Sequence, residues 1–408
     1  MSARSPYTHS LDRRNVLRTM CASAAGAVAW TGLHLSAQAG TANKSLAVPK
    51  FELLDLKTFS LPDDRYYGWP TVARQKNGRL LVVASGGRER HVCPFGRVDL
   101  IQSDDSGDTW SFARTIADGP IDDRDAGIIE TSHGTLLATT FTSLAYLPTL
   151  QKAIESAGTD KPLMKPEQLA RWQAAHRRLP EGQHKEHTAC WLLRSEDNGL
   201  SWSSPYRCPV NSPHGPINLS DGTLLYAGKM LWEEPNKVGV CRSEDDGRTW
   251  KWLADIPTRP GDDHKNYHEL HAVEASDGRL VVHIRNHNKT NAGETLQCHS
   301  TDGGLTWSMP ASIGVWGMPS HLMKLKDGRL LMSYGHRRKP LGNQIRLSSD
   351  NGESWSEAIV LYGDGATGDL GYPSTVEFDD GRLLTVWYEL MPETGMSQLR
   401  AARWKLVD

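Results

Sequence analysis

The chain has 408 residues, a formal net charge of -2 and 38% hydrophobic residues. This is the composition of a soluble globular protein with a large core, and near-neutral charge argues against a nucleic-acid partner. The apolar run near the N-terminus is too short and too rich in Gly and Ala to span a membrane.

Twin arginines, Arg13 and Arg14, open "RRNVLRTM" at 13–20. Small and apolar residues follow in "CASAAGAVAWTGLHL" (21–35), and "SAQA" (36–39) has small residues where a signal peptidase cuts. This order predicts a twin-arginine export signal over 1–39 and a mature periplasmic or secreted chain over 40–408. After Cys21 the cysteines Cys93, Cys190, Cys208, Cys241 and Cys298 are odd in number, scattered and without a CxxC pair. No disulfide framework is expected, so stability must come from the core.

Two phrases then alternate along the chain. The first is a turn followed by an apolar strand: "KNGRLL" (76–81), "SHGTLL" (132–137), "SDGTLL" (220–225), "SDGRLV" (276–281), "KDGRLL" (326–331) and "DDGRLL" (379–384). Asn-Gly and Asp-Gly predict two-residue hairpins with positive φ angles. The second is "SDDSGDTW" (103–110), "SEDNGLSW" (195–202), "SEDDGRTW" (243–250), "STDGGLTW" (300–307) and "SSDNGESW" (348–355). In this phrase Asp can bond its own turn, Gly takes the strained position and Trp packs between units.

The turn glycine and the following tryptophan lie 27 to 32 residues apart in four units and 68 apart in the second. A repeated unit of two hairpins predicts four-stranded blades closed into an all-β, six-bladed propeller. The long second unit carries an insertion at about 143–187, in which "PEQLARWQAAHRRL" has helical spacing. The sixth unit lacks the tryptophan phrase. "FELLDLKTFSL" (51–61) is therefore expected to pair with "LRAARWKLV" (399–407) and close the ring.

Counting nine residues back from each turn glycine gives Trp69, Asp125, Pro213, Glu269, Pro319 and Tyr372. If the units superpose, these residues share one level near the axis. His214, His268, His271 and His321 fall beside them, and Lys229, Arg285, His287, His336, Arg337, Arg338 and Glu389 fall at the ends of the returning strands. The four histidines near the axis lack HxxxH or HExxH spacing. No cofactor is expected, with a transition metal at those histidines as the minor alternative.

The form S-x-D-x-G-x-[TS]-W, five times over, resembles the Asp-box (BNR) repeat of the sialidase (neuraminidase) superfamily, and the resemblance covers nearly all of the mature chain. It implies local matches. "YHELHAVEASDGRLVVHIRNHN" (267–288) is similar to the segment with a glutamate and a substrate-binding arginine, here Glu269 and Arg285. "LGYPSTVEFDDGRLLTVWYE" (370–389) is similar to the segment with the tyrosine nucleophile and a terminal glutamate, here Tyr372 and Glu389. "YGHRRKPLGNQIRLSSDNGESW" (334–355) implies a second carboxylate-binding arginine, Arg338 ahead of Arg337.

The first blade departs from the family pattern. Gly68 in "YYGWPTV" stands where an Arg-Ile-Pro motif has its arginine, and His91 stands where the acid/base aspartate is expected. Arg88 or Arg90 can compensate for the missing cation, and an imidazole can move a proton near neutrality. In "IDDRDAGIIE" (121–130), Asp125 can serve as an acid, a sugar-hydroxyl ligand or a metal ligand.

The expectation is an exported exo-glycosidase acting on a terminal acidic sugar. Tyr372 attacks, Glu269 activates it, His91 and Asp125 move protons, and Arg285 and Arg338 grip the carboxylate. Trp69, Arg88, Arg337, His214, His271, His321, His336 and Glu389 complete the expected substrate site. The partner is a glycan. The alternatives are a carbohydrate lyase or other hydrolase using the same pocket, for instance on a uronic acid, and a non-catalytic glycan-binding propeller.

Overall fold

The computed structural model describes residues 48–60 and 65–407. The export signal expected at 1–39 lies outside them. Six four-stranded antiparallel sheets follow one another along the chain. Blade 1 comprises Tyr66–Arg74, Leu80–Arg88, Arg97–Ser103 and Arg114–Ala117. Blades 2 to 5 begin at Asp122–Glu130, Ile217–Asn218, Tyr267–Glu274 and Ser320–Lys324. In blade 6, Leu370–Glu377, Leu383–Met391 and Met396–Val407 are completed on the outside by Lys50–Thr58. That strand pairs from Lys50 opposite Val407 to Thr58 opposite Arg400, so the two ends of the described chain fasten the ring.

The turn phrase differs in detail from the two-residue hairpin. In blade 1, Gly78 N donates to Gln75 O, and Gln75 N donates to Arg79 O. Only Gly78 is left-handed, at φ 93°, while the Asn77 side chain accepts from Arg79 N. Glycine is needed there because only it enters that region at no steric cost, and Asn acts as a local acceptor.

The tryptophan phrase closes the hairpin between the third and fourth strands. In the first copy Ser103 Oγ and Thr109 N both donate to Asp105 Oδ1, and Gly107 N donates to Ser103 Oγ. The tryptophan then fills the seam with the preceding blade. Trp110 stacks on Phe59 of blade 6, and Trp202, Trp250, Trp307 and Trp355 pack on the next four seams. The seam between blades 5 and 6 has no such phrase, and Trp404, edge-on to Phe51, fills it instead.

The insertion in blade 2 carries two helices, α1 (Leu147–Glu155) and α2 (Pro166–His176). Leu150, Leu169 and Trp172 bury their apolar side against Tyr146 and against Cys93 of the loop following the second strand of blade 1. Among the described residues no helix is long and apolar enough to cross a membrane.

Candidate functional site

The first strands of blades 1, 2, 4 and 6 carry the same irregularity. Their pairing slips by one residue between Gly68 and Thr71, Arg124 and Gly127, His268 and His271, and Gly371 and Ser374. Each slip is a β-bulge, and inside each one a non-glycine residue is left-handed: Trp69 (φ 55°), Asp125 (φ 42°), Glu269 (φ 47°) and Tyr372 (φ 53°). Backbone of this kind costs on the order of 1–3 kcal/mol per residue and clusters where function requires it. Proline cannot adopt positive φ, and the equivalent positions in blades 3 and 5 are Pro213 and Pro319.

The four bulges aim their side chains into one cavity of about 220 Å³, lined also by His91, Arg124, Phe141, His268, Arg285, His287 and Arg337. On its floor the Tyr372 hydroxyl donates to Glu269 Oε1 at 2.6 Å. Arg285 Nη1 donates to Glu269 Oε2 and, at 3.2 Å, to the Tyr372 oxygen. Burial pushes the Glu269 carboxyl up, but Arg285 and the Tyr372 hydrogen bond outweigh it, so the group sits below its ordinary range and is charged. Burial and the negative Glu269 hold the Tyr372 phenol well above its usual value. The pair is therefore a neutral phenol bonded to a carboxylate. Asp125 is pushed up to about 7 by burial and by Glu269, so it holds a proton into the neutral range.

Two further arginines edge the cavity. Arg337 Nε donates to Leu370 O and Nη2 to the Tyr388 hydroxyl. The Arg124 guanidinium lies over the Trp69 ring at 4.6 Å, with its Nε buried and unpartnered. His91 meets the same ring edge-on at 5.0 Å.

Several sequence expectations are corrected by these positions. Arg338 is exposed over Trp316, and Arg337 is the one that faces the cavity. Arg88 is fully buried in a two-pronged pair with Asp122 and is not free for a ligand. Arg90 rests on Trp172 of the insertion. Glu389 is buried against Arg400 and Tyr362, where it supports blade 6 from outside the site. His336 bonds Pro340 O outside the cavity.

His214, His271 and His321 also lie outside it. Their rings meet on the axis at centroid separations of 4.8 to 5.3 Å and line a separate cavity. Burial holds all three well below the ordinary histidine range, so they are neutral. Among the described residues no group of three or more His, Cys, Asp or Glu side chains is arranged to hold a metal ion.

Sequence reasoning passed over Asp369, Tyr66 and Tyr388. Asp369 stands three residues before Tyr372 in "GDLGYPS", and its carboxylate accepts from the hydroxyls of Tyr66 and Tyr388. Arg124 was recognisable only as the neighbour of Asp125.

A closed ring of six blades, five of them with an Asp box, and a phenol–carboxylate pair on its inner strands defines a sialidase-superfamily propeller. Residues 168–385, more than half of the chain, match the family model described as the BNR repeat-like domain, and the chain belongs to that family. A sialidase of Bacteroides fragilis (strain YCH46) is 27% identical over 247 residues, covering 53% of this chain and 42% of that protein. The chain thus spans under half the length of that curated relative. A protein of unknown function from Dyadobacter fermentans DSM 18053 has a TM-score of 0.71 at 23% identity, covering 88% of this chain and all of that one. The Hadza microbial sialidase Hz136 has a TM-score of 0.59 at 18% identity, covering 83% and 65%. At these identities the structural likeness shows the fold.

Proposed function

We propose that this protein is an exported exo-acting glycoside hydrolase that removes a terminal acidic sugar, sialic acid or a related one, through a tyrosine nucleophile. The observation that carries the reading is the Tyr372–Glu269 hydrogen bond inside a cavity edged by Arg124, Arg285 and Arg337. A substrate with a carboxylate at its anomeric carbon repels an anionic nucleophile. A neutral phenol avoids that repulsion, and Glu269 is in reach to take its proton.

In the first step Tyr372 oxygen bonds the anomeric carbon, its proton passes to Glu269, and the glycosidic oxygen leaves with a proton from His91. In the second, water attacks the glycosyl–tyrosine bond, gives its proton to His91, and Tyr372 recovers its own from Glu269. The arginines suit a carboxylate through charge-assisted hydrogen bonds. Arg124 supplies from blade 2 a cation that Gly68 cannot supply from blade 1. The small cavity suits one sugar ring, hence exo action. Neutral Asp125 is a hydrogen-bond donor to a sugar hydroxyl. The twin-arginine sequence directs the folded chain out of the cytoplasm.

The deciding experiment incubates residues 40–408 with sialylated, uronate-bearing and neutral glycans and identifies products by mass. A free acidic monosaccharide is the expected product. An unsaturated uronate would replace hydrolysis by elimination, and binding without product would leave a glycan-binding propeller.

A further inference from the structure

His91 is held on two sides. On one side its Nδ1 lies 3.0 Å from Asp369 Oδ1 and 2.8 Å from the Tyr66 hydroxyl. The Asp369 carboxyl also accepts from Tyr66 at 2.9 Å and from Tyr388 at 3.0 Å. Burial pushes that carboxyl up, but His91 and the two phenols hold it below its ordinary range, so it is an anion. Burial and the neighbouring Tyr388 and Asp369 keep Tyr66 protonated as a donor. A carboxylate only accepts hydrogen bonds, so the imidazole nitrogen against it carries the proton. Asp369 and Tyr66 do not line the site cavity, whereas His91 does. Nε2 is the nitrogen left for the cavity.

On the other side the loop is clamped by the insertion. The Glu89 carboxylate accepts from Trp172 Nε1 (2.9 Å), Gln168 Nε2 (3.1 Å), and Arg171 Nε and Nη2 (2.9 and 2.8 Å), all on α2. Arg88 Nη2 donates to the His91 carbonyl at 3.0 Å while the Arg88–Asp122 pair is wholly buried. A Cβ on Gly96 would collide with that pair. Two residues after His91, Cys93 is buried among the insertion's side chains.

We propose that His91 and Asp369 form a proton-transfer dyad serving the Tyr372 pocket. Asp369 is the positioning residue that fixes the His91 tautomer, and the helical insertion is the clamp that holds the loop. A charged partner on Nδ1–H fixes the tautomer and orients the ring, which leaves Nε2 to exchange a proton with the pocket. The dyad rests on the hydrolase reading for its chemistry. When the glycosidic C–O bond breaks, the Nε2 proton moves to the departing oxygen, and neutral Nε2 later takes a proton from the attacking water.

The test has a structural and a kinetic arm. In the structural arm, nitrogen-15 NMR of histidine-labelled protein, with His91→Gln to assign the signal, should find neutral His91 protonated on Nδ1. Asp369→Asn should shift it toward the Nε2–H form. In the kinetic arm, aryl and alkyl glycosides of the same acidic sugar are compared. His91→Ala should lose about 10²–10⁴-fold in kcat on the alkyl substrate, which needs leaving-group protonation, and less than about 10-fold on a nitrophenyl substrate. Asp369→Asn and Glu89→Gln should show the same leaving-group pattern in smaller measure, with KM little changed, and Asp369→Glu should restore part of the loss. Equal losses on both substrates, or an Nε2–H tautomer in active wild-type protein, overturn the dyad alone. Wild-type protein inert on every glycoside yet carrying Nδ1–H overturns the hydrolase reading while the orientation by Asp369 stands.

Discussion

Tyr372 donates its phenolic hydrogen to Glu269 over 2.6 Å, although 103 residues separate them in the chain. Both stand in β-bulges, with φ angles of 53° and 47°. Blade 6 and blade 4 thus use the same local backbone device to put a phenol and a carboxylate into contact across the ring.

Removing the phenol oxygen should abolish the proposed hydrolysis without unfolding the protein. Tyr372→Phe should lower kcat/KM on the released-sugar substrate by about 10³-fold or more, as for removal of a nucleophile that acts as a unit with its base. The ring itself remains to fill the site beside Trp69 and Tyr388, so the melting temperature should change little. Steady-state kinetics with parallel calorimetry check this, and near-normal turnover would exclude Tyr372 as the nucleophile.

Arg337 and Arg338 are adjacent in sequence and should differ in effect. Loss of a hydrogen bond to a charged group costs about 1.5–3 kcal/mol. Arg337→Met should therefore raise KM for an acidic glycoside by roughly 10–100-fold, whereas Arg338→Met, on the exposed Trp316 face, should leave it nearly unchanged. A competitive inhibition series with carboxylate and neutral sugar analogues reads the difference.

The contribution of two buried carboxyls to stability should decline between about pH 4 and pH 7. Asp125 and Asp123 are both buried and pushed up to about 7, against an unfolded value of about 4. In this window each of these two carboxyls holds more of its proton in the folded chain than in the unfolded one, so its own contribution to unfolding free energy falls as pH rises. The buried neutral histidines His214, His271 and His321 contribute with the opposite sign. Three pKa units correspond to at most about 4 kcal/mol for each group. The stabilisation is complete below the unfolded pKa and is lost by the time pH passes the folded one. In urea melts at several pH values, the unfolding free energy of Asp125→Asn relative to the unsubstituted protein should rise as pH goes from about 4 to 7. A difference independent of pH would exclude the shifted carboxyl.

The closing seam should be sensitive to cavity formation. Trp404 is wholly buried, donates to Thr385 Oγ1 and packs on Phe51 of the closing strand. Trp404→Ala should cost about 3–5 kcal/mol in unfolding free energy. Turnover at a permissive temperature should persist, because Trp404 does not line the site cavity.

The sequence by itself determined the architecture and the level of the site. The alternating glycine turns and tryptophan phrases are local signals, each readable within a few residues, and their spacing counts the blades. Repetition also gave a common register, which is how Trp69, Asp125, Glu269 and Tyr372 could be aligned before any coordinates. Only the tertiary structure decided which neighbouring polar groups reach the cavity. His268 and His271 flank the bulge of one strand, yet His268 lines the cavity while His271, three positions further along the strand, joins His214 and His321 in a separate one. Whether an arginine is free depends on a partner far away in the chain: Asp122 consumes Arg88, whereas Arg124 meets an indole face and remains available. Asp369 became visible as the partner of His91 only when folding brought residues 278 positions apart to within 3.0 Å. Local chemistry specifies turns and strands, whereas the charge state and direction of a buried side chain are properties of the atoms around it.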